Sequence, residues 1–164
     1  MKFHIRHAVD VSPAQAIAAY GSPAFYQGRL PRDDIEVLGV VRHEDTGERV
    51  LMEVRFKFTG NLGAPVRAFV DPARMSWVTR TELWPAALRS EWVVLPDHYP
   101  DRLTASGAYR FEPGEAGPDS TVVVVEGELK VHVPIVGRTA ERVIVSDLGA
   151  YLEDEVASIT ARTA

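Results

Sequence analysis

The chain has no cysteine among its 164 residues, which excludes disulfides, thiolate nucleophiles and cysteine-based zinc sites. Long hydrophobic runs are missing too. The aliphatic stretch Val122–Val125 is far short of the ~20 apolar residues a membrane span needs. Positive charge is in deficit, with 18 Lys and Arg against 23 Asp and Glu, so a nucleic-acid backbone would meet no clustered cationic footprint. The opening MKFHIRHAVD alternates charged and apolar residues and holds no apolar signal core, so a cytoplasmic location is expected. No glycine-rich phosphate loop stands at a strand-to-helix turn, because Gly60 with Gly63 and Gly114 with Gly117 fall in irregular connections. A Gly-x-Ser-x-Gly elbow is absent, as is HExxH or HxH spacing. What remains is 46% hydrophobic and 25% charged, the composition of a folded chain and not of a disordered one. At about 150 residues per domain, one domain over residues 1–164 is expected.

Periodicity orders the chain. Phe3, Ile5, Val9 and Val11 alternate with His4, Arg6 and Asp10, a half-buried strand. Ser12-Pro13-Ala14-Gln15 then carries three helix-start signals: a capping serine, proline at the first helical position and glutamine completing a capping box. That helix runs to Tyr20 and stops at Gly21. Ser22-Pro23 starts a second short helix, which carries Phe25 and Tyr26 and ends at Pro31. Ile35–Arg42 and Val50–Phe58 form a hairpin around residues 43–48, with Val50, Met52, Val54, Phe56 and Phe58 on one face. Residues 60–74 are irregular, with a helical turn near Pro65–Val70. Further strands are expected at Met75–Trp84, Ser90–Leu95, Leu103–Phe111 and Ser120–Val133. After Pro134 the period changes: Ile144, Leu148, Tyr151, Leu152, Val156 and Ile159 recur at helical spacing, one amphipathic helix over about Arg138–Arg162. Hairpin-linked strands with segregated helices indicate an α+β chain.

This order resembles the helix-grip fold of the START-like superfamily, which includes lipid-transfer domains, polyketide cyclases and a chaperone-activator type. The resemblance rests on the first strand running into Ser12-Pro13-Ala14-Gln15, the elbow of short helices, the hairpin sheet, and Leu129–Gly137 leading into the last helix. The last of these is similar to the domain-of-unknown-function family 2505. The resemblance implies an antiparallel sheet of six or seven strands wrapped around the C-terminal helix, with a cavity between them for an apolar ligand such as a lipid, sterol or polyketide. It implies no catalytic signature and no cofactor.

Site candidates follow from residues expected to face inward: Tyr26, Phe56, Phe58, Trp77, Trp92, Tyr109, Leu148, Tyr151, Leu152 and Glu155. Aromatics at inward positions form either plain core or cavity wall, and buried tyrosine hydroxyls seek partners. Trp77 and Trp84 lie on opposite faces of one strand, so its inner face stays open. No cation is expected beside the aromatic set. Glu155 falls inside the apolar arc of the last helix, yet a place beyond the sheet's rim would leave it wet. Gly149, at the edge of the same arc, is expected to allow close packing on the sheet. Glu53 with Arg55, and Arg80 with Glu82, share strand faces and are expected outside as ion pairs, a cavity acid–base pair being the alternative. The histidines do not converge: His4 and His7 face opposite ways, His43 and His98 sit in expected loops, and His132 points outward. No metal site and no catalytic residue is therefore assigned. The expected function is binding or carriage of a small apolar molecule. A cyclase or aromatase-type enzyme and a protein-interaction module with a filled cavity are the alternatives.

Overall fold

The computed structural model describes residues 1–27 and 34–163, with side chains through residue 160. Seven strands follow in order: β1 (Lys2–Val9), β2 (Ile35–Asp45), β3 (Val50–Phe58), β4 (Ser76–Trp84), β5 (Arg89–Pro96), β6 (Leu103–Pro113) and β7 (Thr121–Val131). The helices are α1 (Pro13–Tyr20), α2 (Ala64–Arg67) and α3 (Gly137–Thr163), with short 3-10 turns at Pro23–Phe25, Pro72–Arg74 and Pro85–Ala87. The strands form one sheet in the order β1-β7-β6-β5-β4-β3-β2, and every neighbouring pair is antiparallel. This is the α+β helix-grip arrangement expected from the sequence.

The local chemistry behind α1 is present as expected. Ser12 Oγ accepts from the Gln15 amide at 3.3 Å, while Gln15 Oε1 accepts from the Ser12 amide at 3.1 Å, so the first turn is capped from both sides. β2 is longer than its expected span and continues through His43 to Asp45. The reversal is confined to Thr46–Arg49, where Gly47 adopts a φ of 81° and accepts the left-handed bend. β1 and β7 end earlier than expected, at Val9 and Val131. The expected stop at Pro31 lies outside the described residues.

Register places one row of inward side chains across the sheet: Met52, Thr81, Trp92, Gly107, Gly127 and Phe3. The two facing glycines matter sterically. A Cβ on Gly107 would meet Trp92 Cζ2 at 2.7 Å, and one on Gly127 would meet Phe3 Cζ at 2.5 Å. Their absence lets the Phe3 and Trp92 rings lie over the strands, stacked at 6.1 Å, and gives the sheet room to curl. The convex side is wet and paired. Arg80 meets Glu53 at 2.7 Å, Arg49 meets Glu82 at 3.1 Å, and Arg110 meets Glu126 at 2.9 Å. Arg55 reaches Asp97 at 2.5 Å, so Glu53, Arg55, Arg80 and Glu82 all lie outside as expected. Trp77 lies inside, stacked on Phe56 at 5.7 Å, and Trp84 lies outside under the Arg89 guanidinium.

α3 packs against β1, β7 and α1, toward one side of the curled sheet. Among its apolar side chains Ala140, Leu152, Val156 and Ile159 are buried, and Ile144, Leu148 and Tyr151 are half-buried. Because the helix sits toward β1 and β7, space is left between it and strands β3–β6.

Candidate functional site

That space is a cavity of about 750 Å³, within the ~300–1,000 Å³ range of small-molecule sites. It is not filled by side chains. Tyr26, Phe56, Phe58, Trp77, Trp92, Tyr109, Leu148, Tyr151, Leu152 and Glu155 all line it. Val54, Thr79, Val94, Ala105 and Leu129 complete the walls. At about 3.3 Å per strand residue, Leu103 and Tyr109 on β6 stand roughly 20 Å apart, so the cavity is elongated along the strands.

One end is closed by the elbow of α1 and the following 3-10 turn. Phe25 is 2% exposed and meets Tyr26 edge-on at 5.1 Å, while Tyr20 lies 4.7 Å from the Tyr109 ring and 6.1 Å from Phe111. Under this lid sits Glu155, 3% exposed, accepting a 2.9 Å hydrogen bond from the Tyr109 hydroxyl. The wet position beyond the sheet's rim is thus overturned. The elbow docks on the C-terminal half of α3 and covers the carboxylate, a contact between distant segments that helix periodicity cannot foresee. Burial is the largest cause holding the hydroxyls of Tyr20, Tyr26 and Tyr109 well above the usual phenol range, and the Glu155 charge pushes the same way. All three remain protonated donors near neutral pH, gathered around one buried carboxylate.

The other end opens between the β3–β4 connection, the β5–β6 corner and the loop into α3. Leu62, Val66, Val70, Ile135 and Val143 contribute apolar edges to it, and Ile135 is 99% exposed. His98, Tyr99 and Arg102 line the β5–β6 corner. The expectation that no cation stands beside the aromatic wall is therefore corrected. A loop has no period from which a side-chain direction follows, and Arg102 lies in one, one residue before β6. Tyr20 was also missed, although Ala16, Ile17 and Tyr20 at i, i+1 and i+4 mark a buried helix face.

Among the described residues no group of three His, Asp or Glu side chains converges to hold a metal ion. None of their helices is long and apolar enough to cross a membrane. His4 pairs with Glu126 at 3.1 Å on the convex side, and His132 is exposed near Thr104.

A family model described as Protein of unknown function (DUF2505) matches residues 4–162. The chain belongs to the DUF2505 family. No curated protein matches the sequence. Among solved structures, this DUF2505 chain is similar to TTHA0849 from Thermus thermophilus, with a TM-score of 0.69 at 15% identity over 99% of this chain and 97% of that one. It is also similar to the Zhui aromatase/cyclase from Streptomyces sp. R1128, at 0.64 and 11% over 99% and 94%. A START superfamily protein from Mycobacterium smegmatis follows at 0.59 and 14%, over 99% and 96%. At these identities the likeness establishes the fold, a START-like helix-grip, and leaves ligand and chemistry to the site.

Proposed function

We propose that the protein binds and carries a small, largely apolar molecule in the cavity between its sheet and α3, with the ten residues above as the binding wall. The observation that carries this is the open 750 Å³ space itself, walled by aromatic and aliphatic side chains. An interaction module with a filled interior would have no use for such a void. The ligand's buried end meets the Tyr20, Tyr26, Tyr109 and Glu155 group, which presents phenol donors and a carboxylate acceptor. A hydroxyl or carbonyl on an otherwise apolar body suits that group, because each buried polar atom then keeps a partner. Removing water from the apolar walls at about 25 cal/mol per Å² supports binding near micromolar after association costs.

One observation favours a second reading, an enzyme of the cyclase or aromatase type. The Tyr109–Glu155 pair is buried, hydrogen-bonded and at the apolar cavity's end, where a general acid and base would act on a bound substrate. The structural relatives include an aromatase/cyclase, which keeps this reading in play.

The test compares wild type with Leu148→Trp by thermal shift and fluorescence displacement, against fatty acids, sterols and aromatic polyketides. Leu148 is half-buried on the cavity wall, so the indole enters existing space. Binding by wild type, lost in a variant that still folds, is the expected result. No binding by wild type, with a variant destabilised by roughly 1–3 kcal/mol through overpacking, means the interior is packed and the proposal is wrong. A panel member released in altered form by wild type, and unaltered by Glu155→Gln, turns the reading to the enzyme.

A further inference from the structure

On the convex side the arginines answer carboxylates: Arg6, Arg42, Arg49, Arg55, Arg80, Arg89 and Arg110 each lie within 4.0 Å of an Asp or Glu oxygen. The corner of the cavity mouth breaks that pattern. Arg102, which lines the mouth, and Arg74, which stands behind the lining, lie 5.3 and 5.5 Å from the centroid of one ring, Tyr99, and among the described residues neither has a carboxylate partner. Two cations gathered on one ring repel each other, and the ring's quadrupole only partly offsets that.

Both are also held. Arg102 donates through Nη1 to the Phe69 carbonyl, and Arg74 Nη2 lies 3.3 Å from His98 Nδ1. The Tyr99 hydroxyl accepts from the Asp71 amide at 3.4 Å, tying the β3–β4 connection to the β5–β6 corner. Tyr99 itself has a φ of 56°, a left-handed conformation that a non-glycine residue adopts at a cost. A strained turn thus presents a ring, and the ring presents two guanidiniums already restricted in their rotamers. The acidic residues that line the mouth are Asp34, which precedes β2 and lies two strands from the start of β4, and Asp147 on α3, and neither forms an ion pair with Arg74 or Arg102.

We infer that the corner formed by Arg74, His98, Tyr99 and Arg102 receives an anionic group, a carboxylate or a phosphate monoester, at the outer end of the cavity's ligand. The ligand class is then an amphiphile: an apolar body along the walls, one polar atom at the Tyr109–Glu155 end and an acidic head at the mouth. This rests on the carrier reading above and adds the head group to it. Guanidinium forks match the geometry of either oxyanion, and held forks lose less freedom on binding than solvated ones.

The experiment titrates a fluorescent long-chain fatty acid, the phosphate monoester on the same tail and the corresponding alcohol into wild type, Arg102→Gln and the double variant Arg74→Ala/Arg102→Ala. Circular dichroism checks each fold. Wild type is expected to prefer both acids over the alcohol by about tenfold or more, as charge-assisted hydrogen bonds allow. That preference is expected to shrink in Arg102→Gln and approach one in the double variant. If the double variant does not fold, Arg102→Gln and a salt titration of wild type carry the test, since added salt weakens the preference where an exposed cation makes it. A preference for one acid alone narrows the head to that source. Equal binding of acid and alcohol by wild type, or an undiminished preference in the variants, overturns the anionic head while the carrier reading stands. No binding of any of the three overturns both.

Discussion

At the elbow end of the cavity, Phe25, Tyr20, Tyr26 and Phe111 pack ring against ring, and the buried Glu155 carboxylate takes a hydrogen bond from Tyr109. At the mouth, Ile135 and Val143 are exposed, and Arg102, with Arg74 behind it, lies over the Tyr99 ring with no carboxylate partner among the described residues. The same sheet builds both ends. What differs is what covers it: the elbow, whose α1 is capped and set directly after β1, covers one end, while connections with little regular structure frame the other. A closed end with buried hydroxyls and an open end with Arg102 at its corner give the cavity two unlike ends.

The difference is broken most directly by deleting packing at each end. Phe25→Ala removes a ring that is 2% exposed, and a buried phenylalanine lost to alanine costs roughly 3–5 kcal/mol. Val143→Ala, at a position 55% exposed, stays within about 0.5 kcal/mol of wild type, as surface changes do. Urea melts of the two variants measure both. A cost below about 1 kcal/mol for Phe25→Ala means the elbow does not seal the cavity.

Alkaline titration tests the closed end by another route. Tyr20, Tyr26 and Tyr109 have folded-state pKa values raised chiefly by burial, whereas tyrosines in the unfolded chain ionise near about 10. A raised folded pKa means the stability is fully present below the unfolded value and is lost as pH climbs from there toward the folded values. Tyrosinate absorbance followed alongside circular dichroism is expected to show these three of the five tyrosines ionising only as the chain unfolds. Three hydroxyls that titrate before secondary structure is lost contradict a sealed end. Tyr109→Phe is the milder probe. It removes the hydrogen bond to Glu155 from a buried site, at a cost of roughly 1–3 kcal/mol.

How far the sequence foretold this follows from which features are local. Alternation in β3 placed Phe56 and Phe58, and the 3.6-residue period placed Leu148, Tyr151 and Leu152, because a side chain's face is set by its own element. The capping box at Ser12 worked for the same reason. Helix periodicity placed Glu155 on the apolar arc of α3, but not its burial, which depends on the elbow, more than a hundred residues earlier, reaching α3. Arg102, His98 and Tyr99 were illegible because they sit in a corner without a period, held by Phe69 and Asp71 from another connection. The walls of the cavity were local information, whereas the burial of Glu155 and the corner at the mouth were tertiary.

The smallest effect lies between the two ends, at Gly149 in the middle of α3. The expectation from sequence was a glycine that allows close packing on the sheet, or else room in the cavity, and the structure calls for neither. A Cβ built there meets only Ile5 Cδ1, at 4.0 Å, an ordinary contact, and the residue does not line the cavity. Glycine in a helix interior costs about 1 kcal/mol relative to alanine because more backbone freedom is lost on folding. Gly149→Ala is therefore expected to stabilise the protein by about that amount, raising its melting temperature by roughly 2–4 °C for a chain of this size. The added methyl also touches Ile5, so α3 is held more firmly to β1 without narrowing the space facing β3–β6. Calorimetry measures the first effect, and titration of the fluorescent fatty acid measures whether the cavity is untouched. A lower melting temperature means that α3 approaches β1 more closely than 4.0 Å allows. A higher melting temperature with weakened binding means that bending at Gly149, between the open half of the helix and its covered half, is part of how the cavity admits its ligand.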